Sequence, residues 1–243
     1  MKNRLWQILF GIALVVFSAL FYLLHYFLFK DAHHIFVYLI GDIAFVFIEV
    51  LLVTLILHQL LNNREKKERL EKLNLVIGSF YSEMGLKLLR LFCSNDKGIN
   101  KIQSKLKFDS EWINNDFKSI KSMISSYDFE IQLNKSLLDQ LYDYLNLKRD
   151  FLLRILENPT LHEHEIFTDL IQAIFHICDE LCVRSESNGE IPLTDYNHLT
   201  VDIKRAYSLC VLQWIDYAQY LKSNYPFLYS FASNNNPLLL KTK

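Results

Sequence analysis

Two groups of side chains in this sequence could do chemistry. The first is Asp42 and Glu49, two carboxylates inside the apolar run GDIAFVFIEVLLVTLILHQLL, residues 41–61. At about 100° per residue, seven residues return to within about 20° of one helix face, with about 10 Å between the two acids along the axis. A charged carboxylate in hydrocarbon is expensive, so this stripe is expected to face protein or water. Gln7, Gly11, Ser18, Tyr22 and His25 make a second stripe on the preceding apolar run. In an antiparallel hairpin Tyr22 and His25 come level with Asp42, and Ser18 comes within about a turn of Glu49. Gly11 and Ser18 would let the backbones approach closely. The acids read either as neutral groups hydrogen-bonding between helices or as part of a proton or cation path. A lone hairpin covers only part of the stripe, which points to a homo-oligomer.

The second group lies in LHEHEIFTDLIQAIFHICDEL, residues 161–181. Glu165, Asp169, Gln172, His176 and Asp179 are spaced by four, three, four and three, which is one polar stripe on an otherwise apolar helix. His162, Glu163 and His164 crowd its start, where acids suit the helix dipole. His162-x-x-Glu165 and His176-x-x-Asp179 resemble the ligand spacing of metal-binding bundles, although the Glu-x-x-His of di-iron sites is absent. His198 and Asp202, one turn apart on a later helix, could complete a metal or ligand site. The plain alternatives are a solvated face and a polar network between helices. Cys178 and Cys182 are also one turn apart, and that pair suits core packing better than zinc. There is no phosphate-binding glycine loop, nucleophile elbow or His-Glu-x-x-His, so no enzyme and no cofactor is expected.

The elements that must position these residues are helical. The apolar stretches 5–29 and 35–61 each exceed the roughly 20 residues needed to cross about 30 Å of hydrocarbon. The first is too long for the core of a signal peptide, and no small-residue cleavage site follows it. KDAHH, residues 30–34, joins them as a tight hairpin. Lys2 and Arg4 precede the hairpin and Arg64, Lys66, Lys67, Arg69 and Lys72 follow it, which predicts both termini on the cytoplasmic side. A transmembrane hairpin, 1–61, and a cytoplasmic helical domain, 62–243, result.

In that domain Leu70, Leu73, Ile77, Phe80, Met84 and Leu91 follow a heptad seam, either for a second copy or for a bundle within the chain. Helices are predicted from about Asp109 to Ser126, from an N-cap at Asp128 through Glu157, from His162 to Arg184 and from Asp195 to Ser223. The aromatic tail FLYSFASNNNPLLL is expected to dock back on the bundle. With six glycines, four prolines and no alternating strand pattern, the fold class is all-α. The net charge of −1 argues against nucleic acid, and four cysteines in the cytoplasmic part stay reduced.

FYSEMG (80–85), ENPTLHEHEIFTDLIQAIFHICDEL (157–181), DIKRAY (202–207) and YPFLYSFASNNNP (225–237) resemble, in this order, a family of uncharacterised prokaryotic membrane proteins. That resemblance implies the two-helix-plus-bundle architecture and a bacterial or archaeal inner membrane, and no catalytic or binding role. The expectation is a membrane-anchored interaction or sensing module that binds the bilayer, itself and a cytoplasmic protein partner. Oligomeric ion passage through Asp42 and Glu49 is the alternative, and a metal-binding bundle on a membrane anchor is a second one.

Overall fold

The computed structural model describes residues 2–161, 164–186 and 193–239. It divides into two compact units, 1–66 and 67–243, five residues beyond the boundary placed at the end of the apolar run. The described residues form an all-α protein, with one isolated antiparallel bridge, Asp96 to Ile131.

In the first unit α1 (Lys2–Phe29) is followed by the start of α2 (Ala32–Phe80). The turn is tighter than the five-residue loop expected. Lys30 adopts a left-handed conformation, φ 52°, and its N–H donates to the Tyr26 carbonyl at 2.8 Å. Asp31 Oδ1 then accepts the His34 N–H at 3.1 Å, capping α2. His33 and His34 thus belong to the first turn of the helix.

The second unit begins on α2, where Leu73, Ile77 and Phe80 are buried. The seam therefore packs within the chain as the first element of a bundle. A π-helical turn (Tyr81–Gly85) leads directly into α3 (Leu86–Ser94). Beyond it Leu88 and Phe92 are buried, while Leu91 is only half-buried, so the seam has moved on by one residue. A Cβ on Gly85 would stand 2.7 Å from ring atoms of both Phe80 and Tyr81, which is why the turn closes on a glycine.

Two short 3₁₀ turns lead to α4 (Asn114–Ser125), which starts five residues later than expected. The single helix expected from Asp128 through Glu157 is instead three pieces. Phe129 and Ile131 are buried from an extended segment, since alternation sends both inward there. Asn134 caps α5 (Lys135–Leu147) by accepting the Leu137 N–H at 2.8 Å. A break at Lys148 separates it from α6 (Arg149–Leu156). Then come α7 (Glu165–Glu186) and α8 (Leu193–Asn224).

α8 is the axis of the bundle and packs against α3, α4, α7 and α9 (Pro226–Asn234). Leu199, Ile203, Tyr207, Val211, Trp214 and Ala218 form part of its wide buried face. The tail docks as expected: Tyr229, Ala232 and Leu238 are buried. Asn236 ties them down through the Trp214 indole and the Leu106 carbonyl.

Candidate functional site

α7 and α8 make the most extensive helix pair of the bundle, and polar side chains meet on its outer edge. Apolar residues at Phe167, Leu170, Ile174, Ile177 and Leu181 hold α7 inward. The polar residues interspersed at His176 and Glu180 follow one turn apart. On α8 the same logic places His198 and Asp202 one turn apart, flanked by buried Leu199 and Ile203. The helices run in the register that sets His176 opposite Asp202 and Glu180 opposite His198.

The distances are short. His176 Nε2 lies 3.5 Å from Asp202 Oδ2, and His198 Nδ1 lies 3.0 Å from the same oxygen. His198 Nδ1 is 3.7 Å from Glu180 Oε1, the oxygen that also accepts from Arg184. One ligating atom from each of His176, Glu180 and Asp202 fits within 4.8 Å of the others. The carboxylates are largely buried, 16% exposed for Glu180 and 19% for Asp202, while the imidazoles are 58% and 62% exposed. Glu180 Oε2 and Asp202 Oδ2 are both sealed from solvent and neither meets a hydrogen-bond partner at good angles. Two nitrogen and two oxygen donors in this arrangement can hold a cation or share protons.

The stripe read from sequence is thereby divided. His176, His198 and Asp202 come together. Asp179 does not join them: a step of three from His176 turns it toward α6, where it pairs with Arg149. The step of four leads instead to Glu180, which the spacing argument passed over. Glu165 is exposed in the first turn of α7, and Asp169 is half-buried nearly two turns before His176. His164 is a cap, its Nδ1 accepting the Phe167 N–H at 3.2 Å. His162 lies outside the described residues.

The first unit presents a different polar set. Ser18, Tyr22 and His25 line a cavity of about 700 Å³ beside the turn, with His34 and Tyr38 from α2. The His25 and His34 rings are near-parallel with centroids 6.0 Å apart, and His34 stacks obliquely on Tyr38 at 4.6 Å. His25 Nδ1 is buried there without a hydrogen-bond partner. Asp42 and Glu49 take no part and are exposed. The expected close approach at Gly11 is also absent, with nothing within 4 Å of a Cβ position there or at Gly41. The sequence places His34 in the connecting loop, whereas the structure puts it in the first turn of α2.

The thiols lie in the core. Cys93 Sγ is 3.2 Å from Tyr207 Oη, and burial pushes the thiol up to about 12. Burial and the neighbouring Cys182 push Cys178 up to about 11. Burial likewise raises Cys210, whose carbonyl accepts from Tyr81 Oη at 2.8 Å. At neutral pH these are protonated packing groups.

Comparison with known sequences gives a consistent result over nearly the whole chain. Residues 2–61 match the family described as "MJ1433, N-terminal helical domain". Residues 69–234 match "Uncharacterized protein MJ1433, C-terminal helical domain". The "Uncharacterized protein MJ1433" of Methanocaldococcus jannaschii is 41% identical over 237 residues, covering 98% of this chain and 95% of that protein. No solved structure matches. With both of its helical regions matched in order, the chain belongs to the MJ1433 family.

Proposed function

We propose that the first unit is a two-helix membrane anchor and that the second is a cytoplasmic interaction or sensing module of a homo-oligomer. One observation carries this reading: among the described residues, no side chain in the apolar stretches of α1 and α2 is fully buried inside the chain. Apart from half-buried Ile35 and Leu39, the Leu, Ile, Val and Phe side chains between residues 8 and 61 stand about half to three-quarters exposed, whereas the second unit buries its own in a continuous core. At about 25 cal/mol per Å² of apolar surface, a water-exposed hairpin of this kind would be strongly disfavoured. A bilayer removes that cost, and both helices are long enough to span one.

The basic residues on either side of the hairpin favour termini on the cytoplasmic face. Asp42 and Glu49, uncovered within one chain, favour a second copy as their partner. A competing reading, ion passage through such an oligomer, rests on the same two acids.

The test is accessibility to a membrane-impermeant thiol reagent in intact cells, in a background lacking the native cysteines. Ala32→Cys is expected to label and Ser187→Cys to be protected until the membrane is opened. The reverse pattern would overturn the orientation, and release of the chain from membranes by alkaline carbonate would overturn the anchor.

A further inference from the structure

We propose that His176, Glu180, His198 and Asp202 bind one divalent first-row transition-metal ion between α7 and α8. The pairs His-x-x-x-Glu on α7 and His-x-x-x-Asp on α8 each put two donors on one face, one turn apart. The antiparallel register brings the four together.

The spacing of donor atoms fits a metal better than an ion-pair network. Around an ion with bonds of about 2.0–2.1 Å, tetrahedral ligand atoms stand about 3.3–3.4 Å apart. The two imidazole nitrogens stand 3.0 and 3.5 Å from Asp202 Oδ2. Charge-assisted hydrogen bonds contract to about 2.7–2.9 Å and align. These do neither: Asp202 Oδ2 sits between two imidazoles and meets no hydrogen bond, although it is sealed from solvent. Glu180 Oε2 is in the same condition. A buried carboxylate oxygen with no donor is costly, and a cation at this point removes the cost at both oxygens together.

The second layer also suits this role. Arg184, one turn beyond Glu180, donates to Oε1 and fixes the carboxylate, leaving Oε2 for the ion. Two imidazoles with two carboxylates suit zinc, iron, cobalt or manganese; calcium and magnesium prefer six or more oxygens. The exposed imidazoles make the ion exchangeable from solvent. Because the ligands come from two helices, binding fastens α7 to α8.

The test uses the full-length, tag-free chain in mild detergent, stripped with a chelator and titrated with Co²⁺. One equivalent per chain is expected, with the intense visible bands of a tetrahedral site, displaced by Zn²⁺. His176→Ala and His198→Ala should each weaken binding at least about tenfold. Asp179→Asn, whose partner is Arg149, should leave it unchanged. Failure of the parent chain to bind Co²⁺ overturns the site. So does full binding by the His176→Ala/His198→Ala double variant, which would assign the ion to other histidines such as His25 and His34. Should the alanine variants unfold, the parent chain still decides: without a Zn²⁺-dependent rise in its thermal midpoint, the bridge between α7 and α8 is refuted.

Discussion

Asn236 accepts the indole N–H of Trp214 at 3.1 Å, twenty-two residues earlier on α8. The same oxygen accepts the Leu238 N–H at 3.1 Å, and the amide N–H donates to the Leu106 carbonyl at 2.8 Å. One buried side chain thus serves three groups, two of them backbone. Asn236→Ala strands all three, and each stranded buried group costs about 1–3 kcal/mol. We expect a loss of at least about 3 kcal/mol, read as a lowered thermal midpoint of the helical circular dichroism signal.

Gly85 closes the π turn against Phe80 and Tyr81, with no room for a methyl group. Gly85→Ala would ordinarily favour a helix, by about 1 kcal/mol. Here it must displace two buried rings, and overpacking of that kind costs about 1–3 kcal/mol. A net destabilisation in chemical denaturation is expected; a stabilised variant would show that the rings yield freely.

Asp96 is buried, its Oδ1 accepting the N–H groups of Gly98 at 2.8 Å and Glu130 at 3.1 Å. Burial raises its carboxyl above the ordinary aspartate value of 3.8, and the two N–H groups offset only part of this. An acid raised by folding is released first from the unfolded chain. Its ionisation therefore penalises the fold progressively as pH rises from the ordinary value through the raised one, and fully above that. Asp96→Asn keeps an acceptor and has no proton to lose. It should be more stable than the parent at pH 7, with the difference closing as pH falls below about 4. A pH-independent difference would contradict this account.

Glu49→Gln separates the two readings of the first unit. As an interhelical hydrogen-bonding group the amide still serves, and such bonds are worth only about 0.6 kcal/mol on average. Oligomer mass in nanodiscs should then be unchanged. If ions pass by way of this carboxylate, proton or cation flux in proteoliposomes disappears while assembly survives.

Apolar periodicity made the class of fold, the two long apolar helices and the seam through Leu73, Ile77, Phe80 and Met84 legible from sequence. The segment 128–157 was not, because no glycine or proline marks its breaks. Its extended start depends on Phe129 and Ile131 reaching the core, and its break at Lys148 leaves buried Leu145 and Leu152 at the seven-residue spacing an unbroken helix would also give. Three of the four clustered donors, His176, His198 and Asp202, were visible as residue types at helical spacing. Glu180 was not, since steps of three and four from His176 are equally helical and only the position of α8 favours one. The depth match between Ser18 and Glu49 requires closely packed helices, and the open space at Gly11 and Gly41 shows that α1 and the start of α2 do not meet that closely.

A π turn winds one residue more than the α turn it replaces, and one residue is worth about 100° around the axis. Tyr81–Gly85 is therefore what a one-residue insertion looks like in a helix gripped on both sides, by Ile77 and Phe80 before it and Leu88 and Phe92 after it. Removing one residue from this stretch would let an ordinary α turn close in its place, with Ile77 and Phe80 before it and Leu88 and Phe92 after it still on the buried face. Between Phe80 and Leu86 the helix takes up a change of length without moving its core, and what is held fixed there is the glycine against the two rings.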